Sequence, residues 1–219
     1  MKAYIKKLLT SILAGMLCVG IAIPACATGF DTEQQTSAAY LREKGVMTGD
    51  SNGDMMLDSG LTRAQMAVLV ARITVNPEHL AADSVFYSKQ CGFTDVPDWA
   101  KPYVGYAYAN GLTTGVSETR FGGSQTVTAA QFLTFALRAL GYESGKDFSW
   151  DTAWTLTDTL GITNGQYHAK TNGSFLRADA AMASCLALGA NGKTGKTLYE
   201  MIFGVKMPQA LAETVDKLA

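Results

Sequence analysis

Apolar residues along this chain recur at helical spacing, in segments parted by polar, glycine-rich loops. Met66, Leu69, Val70 and Ile73 form one face. Phe132, Phe135, Ala136 and Ala139 form a second, widened by Leu133, Leu137 and Leu140. A stripe that wide predicts helices buried on more than one side. Each opens on a capping box, Thr62 with Gln65 and Thr128 with Gln131. There the hydroxyl accepts from the third helical amide and the Gln side chain reaches back to the cap amide. A third helix, built from Ala180, Ala181, Met182, Ala183 and Cys185, has Leu176 at the cap and Asp179 in place of the Gln. Its small residues allow close approach but bury less apolar area. The predicted class is all-α.

The pattern is an internal repeat, over residues 41–73, 106–140 and 157–188. The copies align on Gly45, Gly111 and Gly161, each ending a helical stretch and followed by Val46, Leu112 or Ile162. Glycine after a helix supplies the left-handed conformation, and the next apolar residue folds back on the helix. Thr48-Gly49, Thr114-Gly115 and Asn164-Gly165 are turn signals. Thr62 and Thr128 then stand seventeen residues after their glycines, and the third loop is two residues shorter. Copy two has a lead-in segment, Phe93-Thr94-Asp95-Val96-Pro97-Asp98-Trp99-Ala100. Copy three has a looser echo from Phe148 to Trp154, and copy one only Phe30-Asp31. The expected units are a leader (1–27), a first repeat (28–76), a linker (77–90) with a short helix at 78–87, a second repeat (91–144), a degenerate third (145–190) and a helical tail (191–219). The tail's apolar faces, Leu198, Ile202 and Phe203, then Leu211, Val215 and Leu218, suit docking on the bundle or a junction to a further domain.

The lead-in Phe93-x-Asp95-Val96-x-x-Trp99-Ala100, the helix to Gly111, Phe121 and Val127-Thr128-x-Ala130-Gln131-Phe132 together resemble the S-layer homology domain. Leu61-Thr62-Arg63-Ala64-Gln65-Met66-Ala67 resembles its hallmark Ile-Thr-Arg-Ala-Glu-Phe-Ala. The resemblance runs from residue 30 to about 190. It implies three repeats in a pseudo-threefold helical bundle, one helix per repeat at the centre and grooves between repeats. It also implies non-covalent attachment of an exported protein to cell-wall polysaccharide, often a pyruvylated secondary polymer. A negatively charged sugar ketal suits a bidentate Arg beside polar and aromatic groups. The positions carried over for the ligand are Arg63, Gln65, Asp95, Trp99, Arg177 and Asp179. Copy two departs with Ala129 at the Arg position, copy one lacks the Trp, and Gln65, Gln131 and Asp179 replace the usual Glu. These losses motivate a second reading, a degenerate scaffold that binds a surface protein. Bland roles compete at each site: a solvated first-turn residue for Arg63 and Arg177, packing for Trp99, packing or rim for Tyr103, Tyr106 and Tyr108.

Composition narrows the rest. Lys2, Lys6 and Lys7 precede an apolar run from Leu8 to Ile23 and small residues ending at Ala27, the pattern of a secretory leader. The run is about 16 residues, short of the ~20 a spanning helix needs. Cleavage after Ala27 would give a secreted, wall-associated protein; the alternative is a lipoprotein through Cys26, against which Pro24 counts. Without the leader, 18 basic residues fall to 15 against 19 acids, a net charge of about −4. That lacks the basic footprint of a nucleic-acid binder. Cys91 and Cys185 would remain, as a pair or as small hydrophobes. His79 and His168 belong to no metal-spaced cluster, and no nucleophile elbow, phosphate loop or His-Glu-x-x-His occurs. Asp50 to Leu61 has oxygen ligands spaced like a calcium loop, but Met55 and Leu61 stand where Gly and an acid are needed, so it reads as a polar turn. Neither enzyme activity nor a cofactor is expected.

Overall fold

A computed structural model of the 219-residue chain describes residues 31–75, 77–168 and 175–218. The leader and Cys26 lie outside the described residues. Among the described residues there are ten α-helices and no strand. They are α1 (Thr32–Glu43), α2 (Arg63–Thr74), α3 (Pro77–Ala82), α4 (Ser84–Gln90), α5 (Lys101–Ala109), α6 (Ala129–Ala139), α7 (Ala153–Thr159), α8 (Arg177–Gly189), α9 (Leu198–Phe203) and α10 (Gln209–Leu218).

The punctuation read in the sequence is built as hydrogen bonds. Gly45, Gly111 and Gly161 are left-handed, with φ of +67°, +70° and +71°. In each copy the next amide turns back, Val46 N–H to Leu41 O, Leu112 N–H to Ala107 O and Ile162 N–H to Thr157 O. This satisfies carbonyls a helix end would leave bare. Thr62 and Thr128 cap α2 and α6 with complete boxes. At α8 only half survives. Leu176 has no acceptor to offer, while Asp179 accepts from the Leu176 amide at 2.9 Å. A full box at Thr197 and Glu200 starts α9.

The wide apolar stripes explain the packing. Helices α2, α6 and α8 touch one another at the centre. Met66, Val70, Phe132, Leu133, Leu137, Ala180 and Cys185 are fully buried there. The first helix of each copy lies on the second helix of another: α5 on α2, α7 on α6, and α1 on α8. The third copy thus closes on the first. The linker forms two helices, α3 and α4, where one was expected. Helix α4 presses onto α5 at Gly105, where an added Cβ would meet the Tyr87 carbonyl oxygen at 1.8 Å. The tail docks on α8 through α9 and α10, burying Leu198, Leu211 and Leu218. Cys91 and Cys185 are free thiols, and burial pushes Cys185 up to about 12.

Candidate functional site between the copies

The seams between copies repeat in register. Arg63, at the start of α2, donates from Nε to Phe121 O at 2.8 Å, and its amide donates to Gln125 O. Ala64 N–H reaches Gly123 O. Arg177, at the start of α8, repeats this on copy one. Its Nε donates to Met55 O at 2.8 Å, its amide to Ser59 O, and Ala178 N–H to Leu57 O. Met55 and Phe121 stand at the same distance from Gly45 and Gly111, so the two seams are equivalent. Single backbone bridges, Thr62 to Thr126 and Gly60 to Leu176, extend each seam. Ala129, fully buried, holds the corresponding place in copy two.

Arg63 is 5% exposed, with its guanidinium 4.9 Å from the centre of the Phe121 ring. Burial lowers its pKa and Asp95 opposes this; a guanidinium stays charged regardless. Asp95 accepts from the Phe121 and Gly122 amides at 2.7 and 2.9 Å and sits 3.6 Å from Arg120. Burial pushes the Asp95 carboxyl up, but those two amides and Arg120 outweigh it and hold the group below the ordinary carboxylate range. Asp179 is 5% exposed and occupied by the Leu176 amide, the Tyr167 hydroxyl and Gln34. Burial raises the Tyr167 pKa, and the Asp179 charge adds to it.

A cavity of about 470 Å³ opens where the three copies meet. Thr48, Gly49 and Asp50 of the first loop line it together with Gln65, Val68 and Arg72 of α2. Trp99 and Tyr103 come from copy two, and Arg177 from copy three. Of the six residues singled out in the sequence, Gln65, Trp99 and Arg177 line this cavity, while Arg63, Asp95 and Asp179 are not on its lining. Trp99 is 56% exposed, in the 3₁₀ turn Asp98–Ala100. An indole left this open at a cavity mouth is available for stacking. Arg177 Nη2 also donates to Thr48 O at 2.8 Å, and burial lowers its pKa. The Asp50 carboxylate accepts from the Asn52 and Asp54 amides, both at 2.9 Å. The polar turn therefore consumes its own acid. Among the described residues no group of three or more His, Cys, Asp or Glu is placed to hold a metal ion. With two arginines against one acid, a neutral Gln and an exposed indole, the cavity can accept a polar ligand with a flat face.

Arg72 and Tyr103 belong to this cavity, though the motif does not include Arg72 and Tyr103 reads as packing or rim. The usable signal was register: Arg72 and Arg138 stand at the same distance from Gly45 and Gly111. Arg72 donates to Val46 O at 3.3 Å and Arg138 to Leu112 O at 3.2 Å, at equivalent places.

An all-helical repeat module with a groove between its copies is the class these features define. The S-layer homology domain family matches residues 92–133. The chain is 30% identical over 190 residues to a cell surface protein of Thermoanaerobacter kivui, covering 80% of this chain and 24% of that one. It is 29% identical over 154 residues to a surface layer protein of Brevibacillus choshinensis, covering 66% and 13%. A middle cell wall protein of Brevibacillus brevis is 30% identical over 156 residues, covering 66% and 14%. This chain is an S-layer homology domain protein. It spans about a quarter or less of the length of these curated relatives.

Proposed function

We propose that this protein is a non-enzymatic module that anchors at the bacterial cell surface by binding secondary cell-wall polysaccharide, pyruvylated polymers included. The observation that carries the reading is the 470 Å³ cavity in which Gln65, Trp99 and Arg177 come together from three different copies. Trp99 offers a stacking face, Gln65 a neutral amide and Arg177 a cation. Arg63, Asp95 and Asp179 contribute indirectly, by holding loops. The domain family and the names of the three relatives support a place at the surface or wall. Among the described residues no helix is long and apolar enough to cross a membrane. Export through a leader at 1–27 fits this reading.

Co-sedimentation of the purified protein with wall polymer stripped of protein is the direct test. Retention that falls about tenfold on Trp99→Ala, with unchanged helix content, is the expected result. Failure of the unaltered chain to sediment, together with recovery of a surface protein by crosslinking, would favour a protein scaffold instead.

A further inference from the structure

The tail leaves a second cavity, of about 380 Å³, where α9 and α10 meet α1, α2 and α8. Its cause is local. Helix α10 lies closest to α8 at Gly189, where an added Cβ would meet Val215 Cγ1 at 2.7 Å. Toward its other end, at Pro208 and Ala210, α10 lines the cavity instead of closing it. Gly204, with φ of +67°, ends α9 and turns the chain toward α10. Phe203, just before that turn, belongs to an apolar face suited to docking on the bundle, yet it is 43% exposed and lines the cavity. Val205 beside it is also exposed.

The lining suits an apolar body with one charged end. Leu41, Ile73, Leu188 and Leu211 are buried around it, and the Tyr199 and Phe203 rings stand 4.6 Å apart, tilted by 40°. A cavity walled this way holds water poorly and takes apolar ligands instead. Among the described residues that line it, the charged ones are Lys44 and Arg72, both cations. Lys44 is exposed, 5.6 Å from the Tyr40 ring centre, and its ion pair with Glu43 lies in solvent, where such a pair is readily exchanged. Burial pushes the Tyr40 hydroxyl up to about 12, so it stays neutral and able to donate.

We infer that the cavity under the tail is a second binding site, which takes the alkyl chain of an anionic amphiphile and holds its head group at Lys44. The chain lies among Leu41, Leu188, Leu211 and the Tyr199–Phe203 pair, and enters past Phe203 and Ala210. The site is built by residues beyond the three copies, and it is independent of the wall-polymer reading. Val46 and Arg72 line both cavities, so the two sites adjoin.

Calorimetric titration of the full chain with dodecanoate, below its micelle concentration, is the test. One dodecanoate should bind per chain, with a dissociation constant on the order of 10–100 μM, the range for burying roughly eight methylenes. Ala210→Trp, which fills the cavity from its rim, should weaken binding about tenfold or more, and Phe203→Ala several-fold. Trp150→Ala, at an exposed aromatic outside the cavity, should leave it unchanged. Lys44→Gln should weaken dodecanoate several-fold and leave dodecanol unaffected. Helix content and thermal unfolding establish that each variant is folded. Flotation with phosphatidylglycerol vesicles separates the sources: flotation lost in Ala210→Trp makes a membrane lipid the donor of the chain, and dodecanoate binding without flotation makes it a free amphiphile. Failure of dodecanoate to bind overturns the inference whether or not the chain floats, as does binding that a folded Ala210→Trp protein retains in full. An equal effect of Lys44→Gln on dodecanoate and dodecanol overturns the role given to Lys44.

Discussion

The loops around Phe121 and Met55 occupy equivalent places in copies two and one, yet one is filled and the other is open. Phe121 is fully buried, packed against Phe93 at 5.6 Å between ring centres and under the Arg63 guanidinium. Asp95, from the copy's own lead-in segment, ties the two amides at the loop's tip. In copy one the loop's own Asp54 takes the Met56 amide at 2.8 Å, and Met55 is only half-buried. Its loop is held from outside, by Arg177, and beside it lies the cavity. One scaffold position is thus filled by a buried aromatic in copy two and by a half-buried methionine in copy one.

Breaking the filled side should have the largest effect. Phe121→Ala removes a buried ring and the surface under Arg63, and should cost about 3–5 kcal/mol of unfolding free energy in a urea titration. Arg177→Ala breaks the open side's latch and leaves the Met55 and Thr48 carbonyls without their donor. About 2–4 kcal/mol is expected, from charged hydrogen bonds lost in a poorly solvated seam. If Arg177→Ala cost as little as a surface change, the two loops would not be held by comparable seams.

Acid should loosen the Phe121 loop. The folded-state pKa of Asp95 is lowered, so its contribution is present above the unfolded value of ~3.9 and is lost as pH falls through the folded value. Protection of the Phe121 and Gly122 amides, measured against their intrinsic exchange rates, should therefore fall below about pH 4. Asp95→Asn should flatten that dependence. The smallest stability effect is expected at Trp99. More than half exposed, it should cost within ~0.5 kcal/mol on Trp99→Ala, while retention on wall polymer falls about tenfold. A stability loss as large as that of Phe121→Ala would mean that the indole is packing rather than platform.

Much of this architecture was legible because helix punctuation is local. Gly45, Gly111 and Gly161, with the Thr62 and Thr128 boxes, set where helices stop and start, and these depend on neighbours a few residues away. The binding roles were less legible, because they depend on what crosses between copies. Arg63 and Arg177 read as ligand clamps, yet their guanidinium groups are engaged by carbonyls from other copies, a fact no short window contains. Asp95 and Asp179 stand at positions the resemblance assigns to the ligand, and amide donors occupy both. Arg72 lies outside the motif, and its relation to Tyr103 exists only once α5 lies on α2.

The closure of copy three onto copy one also bears on how the chain reaches its fold. The Arg177–Thr48 bond joins residues 129 positions apart, and α1 pairs with α8 across most of the described chain. Contacts that distant carry a loop-closure cost that must be met before they return anything. The first loop, and with it the cavity wall, can be completed only after the third copy has been made. A nascent chain halted before α8 would have its capped helices but no finished groove.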